Sequence, residues 1–308
     1  MEKPPAISPS ALEELKTVFG ARLRQGEMLA RHTSARTGGP AELFVVAETA
    51  DDLRAAARIA WGEALPLFIL GGGSNILVAD AGVRGLVVSN RAREVSIEGT
   101  RVRAESGANL STLARRCIER GLAGLEWAIG VPGTVGGAVV GNAGAHGGDV
   151  AANLESARIL QDDGVEREWE NAELAFDYRT SAIKRGTLKS VILDATFTLT
   201  NEPVEAIQAR ADAYNRHRKA TQPPGASMGS MFKNPPGDYA GRLIDAAGLK
   251  GRRVGNAQIS PVHANFFVNL GEARAADVRA LIEEAREAVL AQFGVRLELE
   301  IQLVGEWE

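Results

Sequence analysis

The sequence predicts an α+β fold, because strand-like and helical patterns are mixed along its 308 residues and two glycine-dense segments interrupt them. Alternating apolar residues in Val191–Leu199 indicate a half-buried strand, whereas Ala275–Phe293 has the apolar spacing of an amphipathic helix. The glycine-dense segments, Gly71–Asn75 and Gly130–Gly148, lie about sixty residues apart. Neither carries the Gly-Lys-Ser/Thr ending of a P-loop, and the chain contains no Gly-x-Gly-x-x-Gly. This combination fits a dinucleotide bound between two small α+β lobes.

The expected elements follow in chain order, and each rests on periodicity and on capping or turn residues. The first part should contain a helix over roughly Pro9–Gly26, a strand at Ala41–Val46, a helix capped by Thr49 and a strand at Pro66–Leu70. The middle part should contain short strands near Leu86–Val88, Val95–Ile97 and Val102, a helix around Cys117, and a hairpin over Glu155–Glu170 that turns at Asp162–Gly164. The last part should contain a helix from Pro203 with Val204, Ile207, Ala211 and Tyr214 on one face, a helix around Ala240–Ala247, strands at His263–Asn269 and Val295–Val304, and the helix Ala275–Phe293 ended by Gly294.

Composition argues against several classes of protein. The net charge of −4 and the pI of about 5.8 give no basic surface for nucleic acid. The start, Met1–Pro9, has neither a basic nor an apolar leader, and no apolar run approaches membrane-spanning length, so we expect a cytoplasmic protein without a membrane partner. Cys117 is the only cysteine, and the four histidines show no paired spacing, so we expect no metal site.

The segment Gly130–Gly148 is predicted to approach a ligand closely. It contains no charged side chain, and glycines allow backbone N–H groups to converge on anionic oxygens such as those of a pyrophosphate. A flexible linker would be rich in serine and other polar residues, whereas here valines alternate with the glycines. We therefore expect a packed loop.

Several blocks resemble those of the UDP-N-acetylenolpyruvoylglucosamine reductase family. The resemblance runs from about Thr33 to Gly305 in the family's order, which makes the set more specific than any one motif. The blocks similar to its flavin-binding motifs are Thr33–Ala41, Gly71–Asn75, Val131–Gly137 and Asn142–Ala145. The blocks similar to its substrate and catalytic motifs are Tyr178–Ser181, Gly229–Pro235, Ala246–Gly251, Ser260–Asn265 and Leu297–Glu300.

The resemblance implies a two-lobed FAD-binding module of the vanillyl-alcohol-oxidase (PCMH) type followed by a C-terminal α+β substrate domain. Residues 1–80 would form the N-terminal segment and first FAD-binding lobe, 81–201 the second lobe, and 202–308 the substrate-binding domain. Such an enzyme uses FAD and NADPH to reduce the enolpyruvyl ether of a UDP-sugar to UDP-N-acetylmuramate in peptidoglycan synthesis. The stretch from Arg179 to Val191 is short, which is similar to the type of member without a tyrosine-bearing loop.

The resemblance also implies which residues form the sites. The cofactor residues would be Arg36, Gly71, Gly72, Gly73, Ser74, Asn75, Ile76, Leu77, Val131, Pro132, Thr134, Gly136, Gly137, Asn142, Ala143, Gly144 and Ala145. The substrate residues would be Tyr178, Lys233, Asn234 and His263. The chain departs from the family pattern at His146, Gly141–Asn142 and Val262.

Three residues would be catalytic, and they should converge in front of the flavin. Arg179 can hold a carboxylate through its fixed, permanently charged guanidinium, although an arginine is more often part of a surface ion pair. Ser230 would donate a proton to carbon, although a serine in a glycine-rich loop more often stabilises a turn. Glu300 would stabilise the enol-like intermediate, which requires burial or a neighbouring anion, whereas the alternating pattern by itself places Glu298 and Glu300 on one solvated strand face.

The sequence allows two roles for a basic cluster and two alternative functions for the protein. Arg216, Arg218 and Lys219 could face a diphosphate or could simply lie at a solvated helix end. One alternative function is an FAD-dependent oxidase of the same fold that acts on a small alcohol. The other is a non-catalytic flavoprotein that binds a UDP-sugar.

Overall fold

The computed structural model describes residues 7–186 and 189–307, which form two compact units. The first unit contains the chain up to Gln25, together with Leu43–Gly72 and Gly85–His217. The second contains Gly26–Glu42, Gly73–Arg84 and the chain from Arg218 onward. The ends of the first and third predicted domains, and residues 187 and 188 of the short stretch after Arg179, lie outside the described residues. The division into two FAD-binding lobes and a substrate domain stays a prediction.

Helices and strands are short and intermixed, which confirms the α+β class. The α-helices are Pro9–Phe19, Ala50–Gly62, Leu110–Ile118, Val135–Gly141, Val204–Thr221, Ala240–Ala246 and Ala275–Phe293. The longer strands are Arg24–Met28, Pro40–Ala47, Leu67–Leu70, Val83–Asn90, Val95–Glu98, Arg101–Glu105, Leu154–Gln161, Glu166–Glu170, Ser190–Thr198, Ala226–Ser230 and Phe266–Asn269. Three-residue strands lie at Ile76–Val78, Ala257–Ile259 and Gln302–Val304. In the described part of the chain, no helix is both long and apolar enough to cross a membrane.

A five-stranded antiparallel sheet organises the first unit. Its strand order is Glu166–Glu170, Leu154–Gln161, Ser190–Thr198, Arg101–Glu105 and Val95–Glu98. The first pair is the predicted hairpin, whose turn is closed by a hydrogen bond from Gly164 N to the Gln161 carbonyl (2.9 Å). The core beside this sheet includes Phe197 and the helix of Cys117, where burial raises the pKa of the thiol to about 12. Cys117 is thus a core residue, as its helical spacing indicates.

The second unit contains a four-stranded antiparallel sheet covered by a long helix. The strand order is Ala226–Ser230, Phe266–Asn269, Ala257–Ile259 and Arg253–Val254. The helix Ala275–Phe293 buries Val278, Leu281, Ile282, Ala285 and Val289, and it ends at Gly294 with φ +68°, as predicted. The same unit holds a parallel pair formed by Ile76–Val78 and Gln302–Val304.

Two terminal elements differ from the prediction. The helix expected over Pro9–Gly26 ends at Phe19, because Gly20 adopts a φ of +51° and caps it, and Arg24–Met28 is a strand. The strand expected over Val295–Val304 is regular only at Gln302–Val304. Its side chains nevertheless alternate between buried and exposed, because this segment pairs first with Phe232 at Leu299 and then with Ile76–Val78.

Two internal segments also differ. The glycine segment Gly130–Gly148 is packed, as expected, but Val135–Gly141 within it is a helix rather than a loop. Glycine disfavours helices, yet the N-cap of Thr134 and the burial of Val135, Ala138 and Val139 outweigh that preference. Val204 is 39% exposed and does not share the buried face of Ile207.

Candidate active site

Two predicted cofactor loops of the first unit meet without side chains between them. A Cβ added to Gly72 would lie 3.0 Å from the Gly133 Cα, and one added to Gly71 would lie 2.5 Å from the Thr134 Oγ1. Gly136 is equally constrained, because its Cβ would lie 2.8 Å from the Ser106 Cβ. Only glycine therefore allows this approach of Gly71–Gly72 to the segment that begins the Val135–Gly141 helix.

The chemistry of these loops fits a dinucleotide. Gly71–Leu77 and Val131–Val140 contribute backbone groups and neutral side chains such as Ser74, Asn75 and Thr134, and they contain no carboxylate. A neutral, glycine-lined backbone suits the anionic oxygens of a pyrophosphate, which a carboxylate would repel.

Residues Gly73–Leu77 continue the first of these loops but belong to the second unit, where Asn75 lies beside Glu300. The Asn75 side-chain amide donates to the Glu300 carbonyl (3.2 Å), and the Gln302 N–H donates to the Asn75 carbonyl (3.0 Å). The Gly73 carbonyl accepts from the Ser34 N–H (2.9 Å), so the Thr33–Ala41 block also reaches this loop. The fold thus joins residues that are 225 positions apart in the sequence.

Ser230 and Glu300 are brought together by strand pairing in the second unit. The Glu300 N–H donates to the Met231 carbonyl (3.0 Å), and the Lys233 N–H donates to the Glu298 carbonyl (2.9 Å). Both Ser230 and Glu300 are half-buried. By contrast, the Glu298 side chain is 74% exposed and pairs with Lys233 at 3.4 Å. The two glutamates, which alternation placed on one solvated face, therefore have different environments.

Arg179 lies in a tight turn of the first unit, next to the predicted cofactor block Asn142–Ala145. Its guanidinium donates to the Gly144 carbonyl (2.6 Å) and to the Asn142 carbonyl (3.5 Å). The guanidinium carbon also lies 5.3 Å from the centre of the Tyr178 ring, which is a cation–π contact. Arg179 adopts a φ of +57°, which is unfavourable for a residue with a Cβ.

Backbone strain of this kind occurs within three of the predicted blocks, at Arg36, Asn142 and Arg179, and at His146 directly after one of them. Among the described residues, seven non-glycine positions have a positive φ, and Arg36, Asn142, His146 and Arg179 are four of them. Such conformations persist where surrounding contacts determine them, and they cluster at functional sites. This signal is independent of the residue types that carry the resemblance.

His146 departs from the family pattern but keeps an aromatic contact. Its ring stacks on Tyr214 with centroids 4.4 Å apart and meets the edge of His217 at 5.7 Å. Tyr214 was not predicted as part of the site, and His217 entered only as a member of the cluster from Arg216 to Lys219 that could face a diphosphate. Their helix begins at Val204, and the placement of Tyr214 near the buried face of that helix was the only available signal.

The predicted substrate residues occupy varied environments. Tyr178 is 48% exposed, and Lys233 and Asn234 follow Ser230 directly. The Asn234 side chain accepts from the Ala240 N–H (3.1 Å) at the start of a helix. Burial lowers the pKa of His263, whose Nδ1 accepts a hydrogen bond from the Asn265 N–H (3.2 Å).

Asn265 has a structural role in this region. It ends the predicted Ser260–Asn265 block, but it was not predicted as a site residue. It is 3% exposed, and its side chain accepts from the Phe232 N–H (2.9 Å) and donates to the Phe232 carbonyl (2.8 Å). Its own carbonyl accepts from the Met231 N–H (2.7 Å). Asn265 therefore fixes the backbone that follows Ser230.

The basic cluster ends the helix Val204–Thr221. Arg216 and Lys219 are exposed, whereas Arg218 is half-buried and its burial lowers its pKa. A half-buried guanidinium is suited to an anionic ligand.

A cavity of the first unit is lined by residues other than those of the predicted site. No group of three His, Cys, Asp or Glu side chains could hold a metal ion in ranges 7–186 and 189–307. A cavity of about 410 Å³ lies on the five-stranded sheet, where Asp194 is shared by Arg103 and Arg158. None of the predicted site residues lines this cavity, and two of its arginines, Arg103 and Arg158, are paired with Asp194.

Comparisons with known proteins agree with this arrangement. Residues 41–169 match the FAD binding domain family, and residues 220–304 match the C-terminal domain of UDP-N-acetylenolpyruvoylglucosamine reductase. The reductase of Chloroflexus aggregans is 45% identical over 94% of this chain and 100% of its own length. The reductase of Moorella thermoacetica is 46% identical over 95% of this chain and 97% of its own length.

Solved structures show the same fold. The UDP-N-acetylenolpyruvylglucosamine reductase of Thermus caldophilus has a TM-score of 0.80 and 38% identity, covering 92% of this chain and 99% of that one. An alkyldihydroxyacetonephosphate synthase, at 22% identity and a TM-score of 0.50 over 65% of this chain and 42% of its own, shares the fold alone. The vanillyl-alcohol-oxidase type of fold is thereby confirmed. The chain belongs to the UDP-N-acetylenolpyruvoylglucosamine reductase family, whose members are FAD- and NADPH-dependent oxidoreductases of peptidoglycan synthesis.

Proposed function

We propose that this chain acts in the cytoplasm and reduces the enolpyruvyl ether of UDP-N-acetylglucosamine to the lactyl ether of UDP-N-acetylmuramate. The observation that supports it best is the backbone pairing around Glu300. The Glu300 N–H donates to the carbonyl of Met231, which directly follows Ser230, and the Glu300 carbonyl accepts from the Asn75 side chain. A hydroxyl and a carboxyl group next to a cofactor loop are the groups that protonation of an enol-like carbon requires.

The cofactor would be held by the glycine loops. Gly71, Gly72, Thr134 and Gly137 of the first unit supply neutral backbone and hydroxyl groups suited to the pyrophosphate, and Gly73–Leu77 of the second unit are further residues predicted to bind the cofactor. When bound and reduced by NADPH, FAD supplies the hydride for the terminal alkene carbon of the substrate.

Arg179 would hold the substrate carboxylate. Reduction of the terminal carbon leaves negative charge on the neighbouring carbon and on its carboxylate, which a guanidinium can stabilise in a fixed geometry. Its contacts with the Gly144 and Asn142 carbonyls orient the group.

Ser230 would donate the proton, and Glu300 would stabilise the intermediate. The carbon beside the carboxylate takes the Ser230 hydroxyl proton, and the resulting oxygen is reprotonated from solvent before the next turnover. Glu300, half-buried beside Asn75, would hydrogen-bond the enol-like carboxylate as the charge develops. The exposed Glu298 would have no part in the reaction.

The UDP group would be recognised by polar and basic residues. Lys233 and Asn234 follow the catalytic strand, Tyr178 adjoins Arg179, and His263 lies in the Ser260–Asn265 block. Arg218, half-buried at a helix end, fits the diphosphate better than the exposed Arg216 and Lys219 do.

An anaerobic flavin titration tests the proposed function. The purified protein should be yellow, NADPH should bleach its visible absorbance, and the enolpyruvyl UDP-sugar should restore it while UDP-N-acetylmuramate forms. UDP-N-acetylglucosamine, which lacks the enolpyruvyl group, is the matched control and should restore nothing. Recovery with oxygen and an alcohol oxidation activity would favour the oxidase, and a protein that binds the UDP-sugar without any bleaching would favour the non-catalytic alternative.

A further inference from the structure

The turn that carries Arg179 needs external support. Asp177 and Thr180 are joined by two backbone hydrogen bonds of 3.1 Å, so Tyr178 and Arg179 form a two-residue turn. Arg179 occupies the turn position with φ +57°, where glycine or asparagine is normally favoured. An L-residue with a long side chain loses about 1–2 kcal/mol in this conformation. The strain is sustained only if neighbouring groups hold the turn.

Lys184 provides one such hold. Its ammonium donates a hydrogen bond to the Arg179 carbonyl (2.9 Å), and its side chain is half-buried. The segment between these residues is itself anchored, because the Ser181 hydroxyl donates to the Val140 carbonyl (2.7 Å) and accepts from the Lys184 N–H (3.2 Å). Lys184, whose ammonium binds the carbonyl of the strained Arg179, is thus tied through Ser181 to the Val135–Gly141 helix.

Asn142 provides the second hold, from the end of that helix. It is 4% exposed, and its amide donates to the Asp177 carbonyl (3.2 Å) and accepts from the Ala151 N–H (3.0 Å). Its own carbonyl, with that of Gly144, receives the Arg179 guanidinium. The backbone before Arg179, the backbone after it and the guanidinium are therefore all tied to one short segment.

We propose that Lys184 and Asn142 are positioning residues that set the orientation of the Arg179 guanidinium, rather than residues that contact the substrate. This inference rests on the proposed role of Arg179 in holding the substrate carboxylate. It also gives Asn142 a role that its place in a flavin-binding motif does not describe. Because a misplacement of about 1 Å can cost a hundredfold in rate, loss of either hold should be visible in the substrate-reduction step.

The experiment compares Lys184→Met, Lys184→Arg and the exposed-site control Lys189→Met by single-turnover kinetics. Lys184→Met should slow reoxidation of the reduced flavin by the enolpyruvyl UDP-sugar roughly tenfold to a hundredfold, as expected of a lost orientation. Flavin reduction by NADPH should be unchanged. Lys184→Arg, which keeps a charged donor, should recover most of the rate, and Lys189→Met should match the wild type.

A double-mutant cycle shows whether Lys184 acts through Arg179. Arg179→Met should slow the same step by roughly a hundredfold or more, and adding Lys184→Met should slow it no further. A crystal structure of Lys184→Met should show Arg179 outside the positive-φ region or its guanidinium displaced from the Gly144 carbonyl. Asn142→Gly keeps the backbone conformation but removes the amide, and it should reproduce the kinetic defect.

The outcomes separate the two proposals. If Arg179→Met leaves reoxidation unchanged, the proposed role of Arg179 is wrong. If Arg179→Met slows reoxidation but Lys184→Met does not, or if the two effects multiply, the positioning role is wrong while the catalytic one stands. An unmoved Arg179 in the Lys184→Met crystal structure would also overturn the positioning role.

Discussion

Asn142 in the first unit and Asn265 in the second are both almost fully buried, and each holds the backbone beside a predicted catalytic residue. The Asn265 side-chain amide hydrogen-bonds both the N–H and the carbonyl of Phe232, as the backbone of a neighbouring strand would. Asn142 instead connects Asp177 and Ala151, and it has a positive φ itself. The first arrangement supports the chain at the end of a paired strand, whereas the second secures a strained turn.

The difference follows from what each region must present. Ser230 and Glu300 lie on paired segments, so backbone hydrogen bonds hold these segments together. The Arg179 guanidinium instead binds the Gly144 carbonyl from a turn in which Arg179 has a positive φ. Paired strand segments therefore serve proton delivery, and a strained turn serves anion binding, in the proposed mechanism.

The largest expected effect is at Ser230, on the strand Ala226–Ser230. Ser230→Ala should slow flavin reoxidation by the enolpyruvyl UDP-sugar about 10²- to 10⁴-fold, because a general acid is lost. Flavin reduction by NADPH should be nearly unchanged, and stopped-flow absorbance measures both steps. Ser227→Ala, on the same strand, is the matched control and should leave both rates intact. Equal damage to both steps in Ser230→Ala would contradict the assignment.

The next test uses the contrast between the two glutamates. Glu300→Ala should slow the same step about 10²- to 10³-fold, which is typical of losing a group that stabilises developing charge. Glu298→Ala should change it by less than about threefold, because its exposed pair with Lys233 contributes little. Similar rates for the two variants would show that the difference in burial has no functional meaning.

The third test concerns the buried asparagine of the strand region. Asn265→Ala leaves the Phe232 N–H and carbonyl without their side-chain partners and should lower the free energy of unfolding by about 2–4 kcal/mol. Urea unfolding followed by circular dichroism measures this change. The exposed Asn256→Ala should stay within about 0.5 kcal/mol of the wild type. If Asn265→Ala also changed the free energy of unfolding by less than about 0.5 kcal/mol, the backbone hydrogen bonds between the strands alone would hold this region.

The smallest expected effect is a pH dependence at His263. Because burial keeps its pKa below the ordinary value of 6.5, the unfolded chain takes up a proton more readily, and stability is lost as the pH falls below about 6.5. His263→Gln should remove this contribution, so its Tm should fall less than that of the wild type between about pH 7 and pH 5. Identical slopes for the two proteins would rule out a contribution from His263.

Much of the fold could be predicted from local patterns. The helix Ala275–Phe293 and its stop at Gly294 were correct because apolar periodicity and a C-terminal glycine act within one element. The hairpin at Asp162–Gly164 was correct for the same reason. The helix Val135–Gly141 was missed, because its stability comes from tertiary burial that outweighs glycine's poor propensity.

The sequence by itself determined the family, through ordered blocks whose residue types can be recognised without coordinates. It could not determine which glutamate is half-buried, since Glu298 and Glu300 have the same local pattern and differ only in what packs around them. Nor could it reveal that Lys184 and Asn142 hold the turn of Arg179, because hydrogen bonds across 5 and 35 positions depend on where the chain returns. Tertiary structure decided these points, because burial and backbone strain are properties of the packed environment rather than of the residue.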